Sequence, residues 1–154
     1  MDERESRAWL GLVAVTQLLP AALDSQLQRD AHLTHFEFMV LTALRFAPQG
    51  TLRMTALADA TNATLTRLSH VCTRLEKRGI VERTPSPDDR RATDVRLTTE
   101  GRRTLIRAMP GHIETARHLV IDALTPAQLE ALAEIGETIT GRLSGGEANP
   151  PKRD

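Results

Sequence analysis

Two helical segments joined by nothing longer than Thr61-Asn62, followed by a glycine stop and two short strand-like runs, leave residues 51–103 very few folds. The first segment, Ala56–Ala60, is rich in strong helix formers, with Thr55 in the N-cap position. The second, roughly Ala63–Arg78, ends where Gly79 supplies the residue that most readily adopts the left-handed conformation of a helix stop. Ile80–Pro85 reads as a strand, Ser86-Pro87-Asp88-Asp89 is turn chemistry, and Ala92–Leu97 alternates side chains as a second strand. A tight helix pair followed directly by a β-hairpin is a helix-turn-helix carrying a wing.

The flanks read as longer helices. Over residues 4–29, Trp9, Leu12, Val13, Leu19, Leu23 and Leu27 recur mostly at three- and four-residue steps, and Pro20 is expected to kink or split that helix. Thr34 and Glu37 have the spacing of a capping box, ahead of an apolar stripe of Phe36, Val40, Leu41 and Leu44 that ends at Pro48-Gln49-Gly50. Thr51-Leu52-Arg53 is short enough for a brief strand. Thr98 or Thr99 opens a long helix past Ile106 and Ile113 towards Leu124, with a bend expected at Pro110-Gly111. Thr125-Pro126 starts a last helix whose apolar face is Leu129, Leu132, Ile135 and Ile139. The predicted class is mainly α with a small β-hairpin wing. A winged helix-turn-helix over 33–103 is flanked by helical dimerisation segments at 1–32 and 104–143, and 144–154 is expected to be a disordered Gly/Pro-rich tail.

Composition narrows the function. Aromatics are 3% of 154 residues, too few to supply the stacking platforms of a single-strand binder. The one cysteine, Cys72, excludes an internal disulfide and a Cys-rich zinc site. The charged N-terminus lacks the apolar stretch of a signal peptide, and no uninterrupted apolar run approaches membrane-spanning length, so a cytoplasmic protein without a membrane is expected. Net charge is zero, yet residues 51–103 carry 11 Lys and Arg against 7 Asp and Glu. Phosphate binding needs such a local surplus, not a positive total.

On a helical wheel of 63–78, Leu65, Leu68, Cys72, Leu75 and, at the edge, Val71 form one side, predicted to be buried. Thr66, His70, Thr73 and Lys77 lie opposite, flanked by Arg67 and Arg74, with no acid among them. Short threonines admit a helix to base edges, and arginine bonds guanine in a bidentate way. The competing reading of this face alone is an ordinary solvated helix. The hairpin weighs against that reading. Its apex, Pro87-Asp88-Asp89-Arg90-Arg91, places two arginines where a projecting ribbon enters a minor groove. Asp89 is expected to fold back on backbone amides or an arginine and so shape the wing.

The run Leu75–Arg102 resembles the wing region of the MarR family of regulators. The likeness lies in Asp89-x-Arg91, five residues, then Leu97-Thr98, and in the lead-in Leu-Glu-x-x-Gly-x-Val-x-Arg from Leu75 to Arg83. Element order and length extend it over residues 5–143. The resemblance implies a homodimer whose recognition helices enter successive major grooves of a pseudo-palindromic double-stranded DNA operator. It implies that Thr64, Thr66, Arg67 and His70 meet DNA, that Arg91 is the wing-tip arginine, and that Asp89 is its structural partner. It further implies a repressor relieved by a small lipophilic or aromatic ligand, in a cleft where Trp9, His35, Phe38 and Met39 are candidates.

Other chemistry finds little support. The family's oxidant sensors carry a cysteine near the first helix; Cys72 instead reads as a small core residue. His32, His35 and Glu37 lack a second cluster to complete a metal site, so neither metal nor cofactor is expected. No HExxH, GxSxG or phosphate-binding glycine loop occurs, and the adjacent Ser69-His70 diverge on a helix, so no enzyme is expected. The rival from another class is a winged-helix protein-interaction module. Such a module would present apolar side chains where this chain has Arg90 and Arg91.

Overall fold

The computed structural model describes residues 1–145. The elements run α1 (Glu3–Ala31), α2 (His35–Phe46), a 3-10 turn at Pro48–Gly50, β1 (Thr51–Arg53), α3 (Met54–Ala60), α4 (Leu65–Lys77), β2 (Val81–Pro85), β3 (Thr93–Leu97), α5 (Thr99–Ala116), a π-helical turn at Arg117–Ile121 and α6 (Pro126–Ser144). The mainly helical class with a small antiparallel sheet is as expected from the sequence. The expected tail lies outside the described residues, apart from Ser144, which closes α6, and Gly145.

The helix starts follow their caps. The Thr34 hydroxyl accepts the Glu37 N–H while the Glu37 carboxylate accepts the Thr34 N–H, and Thr125 and Gln128 repeat the arrangement at α6. Two boundaries differ from expectation. Thr55 lies inside the first turn of α3, and Arg53 takes the N-cap position with no side-chain cap bond. Pairing of β1 in the sheet carries the extended backbone as far as Arg53, leaving the helix to begin there. Pro20 neither ends nor splits α1. This helix is also long and apolar enough, by length and composition, to cross a membrane. Inspection for uninterrupted apolar runs does not reveal that, because Thr16-Gln17 and Pro20 break the run.

The sheet has strand order β1-β3-β2, all antiparallel. The predicted hairpin is therefore widened by the brief strand, with Leu52 opposite Val95 and Val81 opposite Leu97. Val81, Val95 and Leu97 are buried at this face. They join one core with Leu27 of α1, Leu33 of the link after it, Leu41 and Leu44 of α2, and Leu57, Leu68 and Leu75 from the helix pair.

The base of the hairpin is locked to the start of α5. Gly79 takes φ +69°, turning the chain from α4 into β2. The Thr98 hydroxyl lies 2.6 Å from the Gly79 carbonyl and 2.9 Å from that of Ile80, and its oxygen accepts the Gly101 N–H at 3.0 Å. Gly101 sits so close that a Cβ there would lie 2.1 Å from the Ile80 carbonyl oxygen.

The chain divides into two compact units, Met1–Thr115 and Ala116–Asp154. The first holds the core, including Leu105 and Ala108 from α5, with the buried Thr104 beside them. In the second, α6 has no buried residue, and Leu132 and Ile135 are exposed.

Candidate nucleic-acid interface

Helix α4 begins at Thr64, whose hydroxyl accepts the Arg67 N–H at 3.2 Å. That hydrogen bond satisfies one of the orphan amides of the first turn. Leu68, Val71, Cys72 and Leu75 are buried, whereas Thr66, Arg67, His70, Arg74 and Lys77 are exposed. Leu65 corrects the wheel: it was expected on the buried side and is 49% exposed. A wheel projects every turn onto one circle. It does not register that a first turn can extend beyond the elements that pack against the rest of the helix.

Three arginines are held by α2. The Arg67 guanidinium carbon lies 4.0 Å from the centre of the Phe36 ring. Stacking covers one face of the guanidinium and leaves the in-plane N–H groups available. Arg74 donates from Nε to the Glu37 carboxylate at 3.4 Å, and Arg78 lies 3.9 Å from its other oxygen. Glu37 itself is buried. One carboxylate thus caps α2 and faces two cations at the α4 end of the helix pair.

The hairpin is tied to α4 by an ion pair in which both guanidinium donors share one carboxylate oxygen and the backbone takes the other. Arg83 donates to Glu76 from Nε at 3.1 Å and from Nη2 at 2.7 Å, and its backbone N–H donates to the same carboxylate at 3.0 Å. These hydrogen bonds from Arg83 hold the Glu76 carboxyl below its ordinary range. Glu76 and Arg83 are the Glu and the final Arg of the Leu-Glu-x-x-Gly-x-Val-x-Arg run, so that motif encodes a brace between helix and wing.

At the apex, Pro87 to Arg91 are all exposed. The Arg91 N–H donates to Asp89 Oδ1 at 2.9 Å, the Ala92 N–H donates to the Asp89 carbonyl at 2.9 Å, and the Ser86 N–H donates to the Ala92 carbonyl at 2.9 Å. Arg53 reaches across from β1 to donate to the buried Ser86 hydroxyl at 3.0 Å. The side chains of Arg90 and Arg91 are left facing solvent.

A cleft of about 960 Å³ opens between α1, α2 and α4, with Pro20, Asp24, His35, Met39, Arg67 and His70 among its walls. It brings together two of the four cleft candidates, His35 and Met39. Phe38 is a correction, being buried in the core with its ring 4.3 Å from that of His112. Trp9 is exposed on α1, two turns before Gln17, the earliest residue lining this cleft. Periodicity puts Trp9 on the apolar stripe of α1 but does not say which neighbour that stripe meets, and the stripe of Phe36, Val40, Leu41 and Leu44 omits Phe38.

Sequence reasoning missed His112. Its ring stacks on that of His35 at 6.0 Å, and the Nδ1 atoms of both are buried without a hydrogen-bond partner among the described residues. Burial lowers both imidazole pKa values; Asp24 opposes the shift at His35, and His35 adds to it at His112. Burial also pushes the Cys72 thiol up to about 11, with Arg83 opposing and Glu76 adding. Among the described residues no group of three or more His, Cys, Asp or Glu side chains is placed to hold a metal ion.

Comparison with known proteins converges on one family. Residues 33–92 match the sequence profile described as MarR family. The fold superposes with a TM-score of 0.91 on Sco3205, a MarR family transcriptional regulator from Streptomyces coelicolor solved in complex with DNA; identity is 40%, over 98% of this chain and 94% of that one. AbsC, a MarR family transcriptional regulator from the same organism, gives 0.88 at 32% identity over 94% and 97%. The transcriptional repressor MprA of Escherichia coli strain K12 is 28% identical over 106 residues, which is 69% of this chain and 60% of that protein. The chain spans only about 52–60% of the length of such curated relatives. The chain belongs to the MarR family of transcriptional regulators.

Proposed function

We propose that this chain is a sequence-specific double-stranded-DNA-binding transcriptional repressor that works as a homodimer. The observation that carries the reading is the solvent exposure of Thr66, Arg67, His70 and Arg74 on α4 together with Arg90 and Arg91 at the hairpin tip. In this reading α4 enters a major groove and the tip enters the adjoining minor groove. Thr64 contributes as the cap that fixes the first turn, and Asp89 holds the backbone that presents Arg91. The Glu76–Arg83 brace makes helix and ribbon move together, so a change at one is felt at the other. Residues 33–103 supply this surface, and residues 1–32 and 104–143 supply the contact between two copies. Two copies imply two half-sites, hence a pseudo-palindromic operator. In a cell without a nucleus a regulator of chromosomal DNA works in the cytoplasm, and repression follows from occupying the promoter.

A small lipophilic or aromatic molecule in the cleft would relieve that repression. Arg67 and His70 line the cleft and also belong to the exposed face of α4. An occupant wedged against them shifts α4 relative to α1 and α2, which changes the fit of two recognition helices to the helical repeat.

The test is footprinting on DNA flanking the chain's own gene, followed by mobility-shift titration at several salt concentrations. Protection of two half-sites, with affinity falling steeply as salt rises, is expected. Arg91→Ala is expected to weaken every site, most where the minor groove is narrow, and to flatten the salt slope by about one unit for each phosphate left unneutralised. Unchanged affinity in that variant would remove the wing from the interface.

A further inference from the structure

We infer that Leu65 is a specificity-determining residue, which reads a thymine methyl group in the major groove of each half-site. The inference rests on the DNA-binding reading above. A single leucine exposed on a protein surface is ordinary. What distinguishes Leu65 is where it stands. Between residues 51 and 97 it is, among the described residues, the one large apolar side chain left exposed, at 49%. Every other leucine, valine and isoleucine of that segment is buried or half-buried.

It occupies the first position of α4, the end of a recognition helix that goes deepest into a groove. The groups beside it are polar and held in place. The Thr64 hydroxyl accepts the Arg67 N–H, and the Arg67 guanidinium lies over Phe36 with its in-plane N–H groups free. The first turn therefore presents one isobutyl group beside the polar readers Thr66 and Arg67, an apolar contact that their hydrogen bonds cannot supply. Of the four bases, thymine alone offers the major groove a methyl group, and apolar side chains recognise it by contact. No acid stands in the first turn of α4 to hold the helix away from the phosphates.

The experiment uses the full chain and duplexes enriched from a random pool. Each thymine of an enriched site is replaced in turn by uracil, which differs only in lacking the methyl group, and affinity is measured by mobility shift. The expected result is one symmetry-related pair of positions where uracil costs about fourfold per half-site, the effect of burying one methyl group. Leu65→Ala is expected to bind DNA while losing that discrimination, and Leu65→Met is expected to retain it. Tight binding by the natural chain with no methyl sensitivity at any position would overturn the assignment and leave the DNA-binding reading standing. Methyl sensitivity that survives in Leu65→Ala would overturn it too, by transferring the recognition to another residue. Enrichment of no duplex at all would sink both.

Discussion

Single side chains on α4 divide into those that face outwards and those that pack, and Cys72 shows how far the two differ. It lies between Val71 and Thr73 on α4, yet it is fully buried and burial pushes its thiol up to about 11. The thiolate is the reactive form, so near neutral pH this group has almost none. Native protein is expected to leave Cys72 unlabelled by iodoacetamide over hours at about pH 7.5, while denatured protein is labelled within minutes. Rapid labelling of folded protein would place the thiol at the surface. The histidine pair makes a second prediction at this scale. Both imidazoles have lowered values in the fold, so the unfolded chain binds more protons below the ordinary histidine value. Their share of stability is present above about pH 6.5 and is lost as pH falls from there. Thermal midpoints are expected to drop between about pH 7.5 and pH 5.5, and His112→Phe, which keeps a ring against Phe38, is expected to drop less. Equal slopes for the two proteins would show that the pair is not the titrating group.

Among the elements, the junction of α4, the hairpin and α5 depends most on one missing side chain. Gly101 is in ordinary helical surroundings, and its role is to let α5 approach the Ile80 carbonyl. A methyl group there meets backbone oxygen, which has no rotamer to move into. Gly101→Ala is expected to destabilise the fold by about 1–3 kcal/mol, read as a shift of the denaturant midpoint. An unshifted midpoint would mean that the helix and the hairpin are less firmly apposed than the structure has them. The Glu76–Arg83 brace acts at the same scale. Glu76 has a lowered value, so the brace is present above the ordinary carboxylate range and is lost as pH falls through the lowered value.

For the molecule as a whole, the question is what covers the apolar surface of the terminal helices. Trp9, Leu10, Val15 and Leu18 stand exposed on α1, as do Ile106 and Ile113 on α5 and Leu132 and Ile135 on α6. Monomeric proteins rarely leave so much apolar surface open to water. Sedimentation at micromolar concentration is expected to give a dimer, and Leu18→Glu, at a position 71% exposed, is expected to shift it towards monomer. A monomer in the unaltered chain, or its recovery in a membrane fraction, would require another partner for these faces.

Much of this fold was legible in short-range chemistry. The Thr34–Glu37 box, the Gly79 stop and the Ser86–Asp89 turn are each decided within a few residues of backbone, so the sequence alone located the helix pair, the hairpin and the arginine tip. Two kinds of fact were not legible. One is the meeting of side chains far apart in the chain: Arg74 with Glu37, Arg53 with Ser86, and His112 with His35 and Phe38. The other is which positions of an amphipathic helix end up covered, as Leu65, Phe38 and Trp9 each illustrate. Periodicity records that a side chain is apolar and which way it points from its own axis. Whether a neighbour stands there is settled only when the elements pack, because burial is a property of two surfaces and the sequence of one helix describes just one of them.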